Sequence, residues 1–482
     1  MRNFTLQVCR RALKRHERKS SRYRQCVKNK TEVLAATGSR RIVILGNGIA
    51  GVTCARHIRK RDSDARITII SGETEHFFSR TALMYIYMGH LTYGHTKPYE
   101  SWFWEKNRLQ LVHGWVTHID FERKELQLQQ HDPVSYDTLI LAMGSTPNKY
   151  GWPGQDLQGV QGLYSLQDLE TMEASTHSCE RAVVVGGGLI GIELAEMMDS
   201  RHIPVTFLVR EENFWGNVLP VEEAQLVNRH VLAHGIDLRL VHEVKEMLDD
   251  GHGNVKGVVT STGDTVACQF VGLAVGVSPN ISLVKNTPLH TNRGILIDAY
   301  FATNIPDVFA IGDCAEFREP LPNRRSIEQT WYTGRMHGET LAHNLTRKPV
   351  PYQPGVWFNS AKFMDIEYQT YGVVPSRWGD NLQSLYWEHP GGRICFRAMF
   401  DANSKAVVGV NAFGMRLRHD FFDKAIREGW TIENVLLQLE AAAFDPEFYD
   451  RHHQDILQAY NQQFGADLQP KKKKGLFSFF SR

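Results

Sequence analysis

Short unbroken apolar runs alternate with longer periodic ones along this chain. Ile42 to Leu45 is an unbroken run of four. A run that short, with no polar alternation, predicts a strand buried on both faces, as in a parallel sheet. Gly46, Gly48 and Gly51 follow, then "VTCARHIRKR" with helical periodicity, then a second strand in "RITII" (66–70). The same order returns later. "AVVV" (182–185) is the strand, Gly186, Gly188 and Gly191 the glycine cluster, "IELAEMMDSR" the helix and "VTFLV" (205–209) the next strand.

The last third is patterned differently. "KFMDIEYQTYG" and "RICFRAMF-DANSK-AVVGVNAFG" read as strands, the second pair a hairpin across a polar turn. "SIEQTWYTGRMHGETLAHNL" (326–345) reads as one helix, with Ser326 and Gln329 matching an S-x-x-Q capping box at its start. "HDFFDKAIREGWTIENVLLQLEAAAF" reads as another.

Each glycine cluster is a G-x-G-x-x-G turn between strand and helix. The first glycine allows the sharp bend, the second lets a pyrophosphate approach the backbone, and the third lets the helix pack on the strand. The free N–H groups and positive dipole end of the helix then hold the phosphates. One such motif is weak evidence; two in the right context point to two dinucleotides. Electron transfer between a bound flavin and a diffusing nicotinamide is the chemistry that needs both.

Composition narrows the setting. With 42% apolar and 22% charged residues, the 482-residue chain is ordinary for a globular protein of two to four domains. Its net charge of +2 conceals basic ends: 11 Lys/Arg against Glu17 in residues 1–30, and Lys471 to Lys474 with Arg482 at the other end. Between them 39 basic residues face 52 acidic ones, which argues against a nucleic-acid-binding core. No apolar run approaches the length of a membrane helix; "FVGLAVGV" (270–277) is among the longest. Residues 1–38 read as a basic disordered extension or a transit peptide, and no secretory signal is expected. The tail "KKKKGLFSFFSR" reads as solvated, or as a weak contact with an anionic membrane surface. The cysteines (9, 26, 54, 179, 268, 314, 395) form no CxxC or CxxxxC pair. That argues against a cysteine zinc site or a local redox dithiol, assigns no metal, and fits a reducing compartment. The expected location is cytoplasmic, or an organelle matrix if the N-terminal segment is a transit peptide.

Two further stretches, "YDTLILAMGSTPN" (136–148) and "GILIDAYFATNIPDVFAIGDCAEF" (294–317), flank the second motif. With the two glycine turns they resemble the FAD-dependent pyridine nucleotide oxidoreductases over about residues 40 to 345. That family includes rubredoxin and ferredoxin reductases, NADH oxidases and the flavin portion of NAD(P)H nitrite reductases. The resemblance implies an α/β chain with two Rossmann-like domains, the second inserted in the first, and a C-terminal α+β interface domain that often dimerises. FAD would take 40–154 and 282–346, NADH or NADPH 155–281, and the interface domain 347–465, with 1–39 and 466–482 as extensions.

Residue by residue, the resemblance implies an FAD turn at Gly46, Asn47, Gly48, Ile49, Ala50 and Gly51. Val116, Ala142, Met143 (where threonine is usual) and Gly144 join it, with Gly312 and Asp313 at the flavin ribitol. Gly186, Gly188, Ile190 and Gly191 would form the NAD(P) turn, with Glu193 towards the nicotinamide and Gly276 in the closing segment "VGVSPN" (275–280). The acidic ribose ligand usual at the end of the second strand is replaced by Ser71, so either that hydroxyl or Glu73 is expected to serve. Arg80 stands where thiol-type relatives carry cysteine; with Glu193 it is the candidate catalytic residue, beside the flavin ring or the pyrophosphate. Trp331 is a candidate wall of the flavin. Arg210 and Glu211 follow the nicotinamide-selecting position, Val209. The expected partners are the nicotinamide nucleotide and a small electron-transfer protein or soluble acceptor, with a homodimer also expected. Two readings stay open beside this one: an NAD(P)H:quinone reductase at a membrane surface, and a flavin-bearing regulatory protein with slow turnover.

Overall fold

The computed structural model of the chain describes residues 39–469, apart from 323, 445, 446 and 449. The basic segment 1–38 and the tail from 470, with its expected membrane contact, lie outside the described residues.

Two five-stranded sheets carry the two glycine motifs. The first runs in the order Val308–Ala310, Thr138–Leu141, Arg41–Leu45, Arg66–Ser71, Leu109–His113. The second runs Asp237–Leu240, Val205–Val209, Ala182–Val185, Phe270–Leu273, Val160–Gln161. Every neighbouring pair in both is parallel. In each sheet the motif strand is central, with its successor on one side and a later strand on the other. At that switch point two connections leave in opposite directions and a crevice opens beyond the strand ends. The unbroken apolar runs are explained by this position, since Ile42 to Leu45 and Ala182 to Val185 are all buried.

Each sheet is followed by a three-stranded antiparallel one, at 116–135 and 244–267. A two-stranded antiparallel ribbon, Ser145–Pro147 against Val277–Pro279, marks where the chain leaves the first sheet and returns. The helix Ile49–Arg59 behind the first motif packs against Trp331–Thr346 at very short range. A Cβ at Gly338 would stand 2.5 Å from the Ala50 carbonyl oxygen, so only glycine permits this approach.

The last third forms an antiparallel sheet in the order Phe358–Phe363, Ile366–Gly372, Val407–Phe413, Cys395–Asp401, Leu382–Glu388. Phe363, Tyr368 and Phe413 share a core with Phe207 of the second parallel sheet and Phe214 of the loop after it. Phe396, Phe400, Phe422, Val435 and Ile456 form a separate core with the C-terminal helices. Arg397, 1% exposed, crosses to the helix Val221–Ala233 and donates to Glu222 and Glu223, each at 2.7 Å. The cost of burying that guanidinium is offset only because both carboxylates meet it.

Two helix readings need correction. The 326–345 helix starts at Trp331, and Thr330, not Ser326, caps it by accepting the Thr333 N–H. Gln329 is drawn off instead to the Ser145 hydroxyl at 2.8 Å. The single helix expected from His419 onward is two, His419–Arg427 and Ile432–Leu437. Gly429 breaks it at φ +64°, a left-handed conformation that ends a helix, and Thr431 caps the next one. No helix among the described residues is long and apolar enough to cross a membrane.

Candidate functional site

The two glycine turns have the same internal geometry. Gly46 sits at φ +114°, and a Cβ on it would lie 2.1 Å from the Ala142 carbonyl oxygen. Gly186 sits at φ +112°, and its Cβ would lie 2.4 Å from the Ala274 oxygen. The third glycines, Gly51 and Gly191, back onto the carbonyls of Gly46 and Gly186, each at 2.1 Å from a built Cβ. The second glycines differ from both: a Cβ on Gly48 or Gly188 would meet nothing within 4 Å. The first and third positions therefore close the turn, while the second faces open space.

The helices behind these turns have no side-chain cap and no acidic residue in the first turn. Their leading N–H groups and dipoles are thus left for an anion arriving past Gly48 or Gly188. A pyrophosphate fits that donor set. Ile49 and Ala50 open the first helix; Ile49 packs near Gly334, and Ala50 lies against Gly312 and Gly338. Ile190 opens the second helix, at the edge of the core shared with the C-terminal sheet. Asn47 is buried and ties the first turn to the next loop, donating to the Thr74 carbonyl at 2.8 Å.

A hydrogen-bonded chain runs from this loop to the helix at 331. Arg80 meets Glu73 through both nitrogens, at 2.8 and 2.5 Å, and also donates to the Tyr164 carbonyl. The Tyr164 hydroxyl accepts the Ser145 N–H at 2.8 Å and donates to Asp313 at 3.4 Å. The Ser145 hydroxyl donates to the same Asp313 oxygen at 3.2 Å and accepts from Gln329. Burial pushes the Asp313 carboxyl up to about 6, against these donors and the nearby Arg80. Burial works against the charge on Arg80, and pairing with Glu73 overrides it, raising its pKa. Gly312, at φ +72°, donates its N–H to Nδ1 of the buried His337. Burial, with Arg324 adding to it, drives that imidazole down to about 3, so it is neutral.

The Glu73 carboxylate is already engaged in this chain. One oxygen also accepts the Leu166 N–H at 3.0 Å, so its carboxylate is committed to Arg80 and to the start of the helix Leu166–Thr176. Ser71 remains at the strand end, nearly buried, its hydroxyl accepting the Glu73 N–H. Val116 opens the small sheet beside the first core. Ala142 and Met143 line the first turn from the neighbouring strand end, and Gly144 lies under the Tyr164 hydroxyl. Gly276, at φ +89°, begins the return ribbon beside Asn148. Trp331 stands half-buried on the first turn of its helix, edge-on to Tyr332.

At the second turn, Glu193 is half-buried on the helix Leu189–Ser200. Burial and then the neighbouring Glu196 push it up to about 7, while Lys362 opposes them. Lys362 comes from the C-terminal sheet and pairs with Glu196 at 2.5 Å. Val209 lies beneath Gly187, and Trp215 donates its N–H to the Gly187 carbonyl at 3.1 Å. Arg210 is mostly exposed and pairs with Glu211 at 3.1 Å. Tyr164, Ser145, Gln329, His337, Lys362 and Trp215 were not singled out from sequence as cofactor or site residues. Only Ser145 and Gln329 lie in stretches with a sequence motif, and the contacts of all six come from the crossing of distant segments.

The described cysteines are all free thiols. Cys54 and Cys314, beside the first turn, are fully buried; burial raises both, Cys314 to about 12.

A chain with two such turns on two parallel sheets is an FAD-dependent NAD(P)H oxidoreductase. Residues 40–338 match the pyridine nucleotide-disulphide oxidoreductase family, and the chain belongs to it. It is 30% identical over 284 residues to the NAD(P)H nitrite reductase of Bacillus subtilis, which is 58% of this chain and 35% of that protein. It is 28% identical over 325 residues to the rubredoxin-NAD(+) reductase of Acinetobacter baylyi, 65% of this chain and 81% of that one. The chain thus spans little more than a third of the nitrite reductase. Among solved structures, a ferredoxin reductase from Rhodopseudomonas palustris shares the fold, with a TM-score of 0.76 at 23% identity over 84% of this chain and 100% of that one.

Proposed function

We propose that this protein moves electrons from NAD(P)H through FAD to a small redox protein of the ferredoxin or rubredoxin type. The observation that carries the reading is the doubled turn: two open second glycines, each before an uncapped helix, at the switch points of two parallel sheets. Likeness to a rubredoxin-NAD(+) reductase over most of that protein's length supports the acceptor class.

FAD, when bound, supplies the redox chemistry, accepting hydride from the nicotinamide and releasing electrons to the acceptor. The chain's share is binding, orientation and charge. The N–H groups at 49–51 hold the FAD pyrophosphate and those at 189–191 the nicotinamide dinucleotide. Asp313 accepts from the flavin's sugar chain. The first turn of Trp331–Thr346, free of acidic residues, directs a positive dipole end at the flavin site. Arg80 and Glu73 bind the loop after the second strand to the helix Leu166–Thr176, fixing the distance between the two sites. On this reading FAD occupies 40–154 and 282–346, the nicotinamide 155–281, and 347–465 covers the flavin and pairs two copies.

The test is steady-state oxidation of NADH and NADPH by purified protein with ferredoxin, rubredoxin, a short-chain quinone or ferricyanide as acceptor. Faster reduction of a ferredoxin or rubredoxin than of quinone supports the reading. Quinone reduction alone would favour the membrane-surface alternative. Ferricyanide reduction with none of the other three would favour a regulatory flavoprotein.

A further inference from the structure

Away from both dinucleotide turns, the helix Val221–Ala233 carries His230 in its last turn, and His234 caps its C-terminus four residues on. Their rings stand edge to face, 4.5 Å between centroids. The His234 Nδ1 donates to the His230 carbonyl at 2.9 Å, which leaves Nε2 as that ring's lone-pair nitrogen when neutral. This Nε2 faces Oδ1 of Asp365 at 3.8 Å, and the His230 Nε2 lies 2.5 Å from the same oxygen. Asp365 sits in the turn of the hairpin Phe358–Phe363 and Ile366–Gly372, where Met364 takes φ +54°. Its other oxygen is held by the Arg393 guanidinium. One carboxylate oxygen is thus aimed at two imidazole nitrogens by a partner on its far side.

We propose that His230, His234 and Asp365 form a binding site for a divalent cation of the zinc class, joining this helix to the hairpin of the C-terminal sheet. The three ligand atoms lie within 4.8 Å of one another, the span a single metal ion closes. Two imidazoles at i and i+4 with one carboxylate make a borderline-soft set that suits zinc and is poor for calcium or magnesium, which take oxygen ligands. His230 is buried and Asp365 exposed, so a fourth position opens to water on one side. The His234 Nε2 and Asp365 Oδ1 are both acceptors facing each other, an arrangement that a cation between them satisfies. Arg393 keeps its bond to Oδ2 and orients the carboxylate as an outer partner. His230 gives its Nε2 proton to solvent when the ion enters. The hairpin that supplies Asp365 also supplies Lys362, which pairs with Glu196 on the helix of Glu193. An ion here therefore ties the C-terminal sheet to the second parallel sheet close to the nicotinamide side.

The experiment uses the full, flavin-loaded chain after chelator treatment. Zn²⁺ is titrated in competition with a chromophoric chelator, and Co²⁺ is added separately for its visible spectrum. The expected result is one Zn²⁺ site and an intense four-coordinate Co²⁺ band. Outer-shell changes weaken metal sites 10- to 100-fold, so His234→Ala and Asp365→Asn, which remove ligands, should each weaken Zn²⁺ binding by about 100-fold or more. Zn²⁺ should also raise the melting temperature of the native chain and not of either variant. Flavin content and circular dichroism verify that the variants are folded; Asp365, being exposed, keeps the test valid if His234→Ala fails to fold. Equal Zn²⁺ affinity in the native chain and in folded Asp365→Asn would overturn the proposal. So would Ca²⁺ or Mg²⁺ binding as tightly as Zn²⁺.

Discussion

The Tyr164 hydroxyl donates to the Asp313 carboxylate at 3.4 Å while accepting the Ser145 N–H at 2.8 Å. One phenol therefore links the segment entering the second sheet to the residue expected at the flavin's sugar chain. Tyr164→Phe leaves the Ser145 N–H without that acceptor and Asp313 with one donor fewer. Leaving a partly buried donor unpaired costs about 1–2 kcal/mol. The FAD dissociation constant should rise about tenfold, equivalent to about 1.4 kcal/mol. Fluorescence titration of the apoprotein measures it. An unchanged constant would show that Tyr164 serves the fold alone.

The two second glycines separate the two cofactors cleanly. Because a Cβ on Gly48 or Gly188 meets nothing, aspartate at either position is accommodated by the fold. Gly48→Asp places a carboxylate where the FAD pyrophosphate would lie, and the protein should purify without flavin. Gly188→Asp should keep its flavin, be reduced by dithionite, and fail to be reduced by NADH or NADPH. Absorbance spectra under anaerobic conditions report both. Flavin loss in Gly188→Asp would exchange the assignments of the two turns.

Legibility from sequence followed the locality of the signal. The strand-turn-helix units at 41–59 and 182–200 announce themselves because each is contiguous and its first and third glycines have a steric reason. The partners of Glu73, Arg80 and the Leu166 N–H, are not legible in the sequence, because Leu166 lies 93 residues away and no motif joins the three. The capping box at Ser326 failed for a related reason: Gln329 finds a better partner in Ser145, 184 residues away. His230 and His234 show helical spacing in the sequence, but nothing there indicates that Asp365 reaches them. The apolar periodicity around Gly429 continues on both sides of the break, so the division of the expected helix comes from the left-handed backbone at that residue.

No thiol should be required for flavin reduction. Cys54 and Cys314 flank the first turn, yet both are fully buried and held as thiols by burial. Alkylation acts on the thiolate and needs access. Iodoacetamide treatment of the native protein should leave the rate of flavin reduction by NADH unchanged within about twofold. Inactivation that tracks modification of either residue, mapped by mass spectrometry, would restore a thiol mechanism.

His337 should set an acid limit on the apoprotein. Its folded pKa is depressed to about 3 from 6.5, so the unfolded chain binds the proton first. Stability from this group is complete above about pH 6.5 and is lost as pH falls towards 3, at up to about 1.4 kcal/mol per unit. Asp313 works in the opposite direction between 3.8 and about 6, because its folded form holds the proton more tightly. His337→Phe removes the acceptor of the Gly312 N–H, so at pH 7.5 it should melt below the native protein. The gap should narrow as pH falls to 5, because only the native chain then carries the histidine penalty. A gap independent of pH would show that His337 titrates in the fold as it does in the unfolded chain.

Nicotinamide choice should be weak. Selection in such turns comes from a carboxylate on the ribose 2′-hydroxyl for NAD, or an arginine on the 2′-phosphate for NADP. The spacing from Gly191 puts the expected selecting position on Val209, which is buried beneath Gly187 and can do neither. The next two residues oppose each other. Arg210 favours a phosphate and Glu211 disfavours one, and the two pair at 3.1 Å. Arg210 is 69% exposed, so solvent screens most of whatever it adds. A slight lean to NADH follows, because Glu211 is the less exposed of the two and so the less screened. kcat/KM for the two nucleotides should differ by less than about tenfold, which is about 1.4 kcal/mol. Arg210→Ala should lower NADPH use more than NADH use, and Glu211→Gln should raise NADPH use. A native preference of about a hundredfold, near 2.8 kcal/mol, would place the selecting group outside 205–212. An unchanged ratio in both variants would show that neither side chain reaches the ribose.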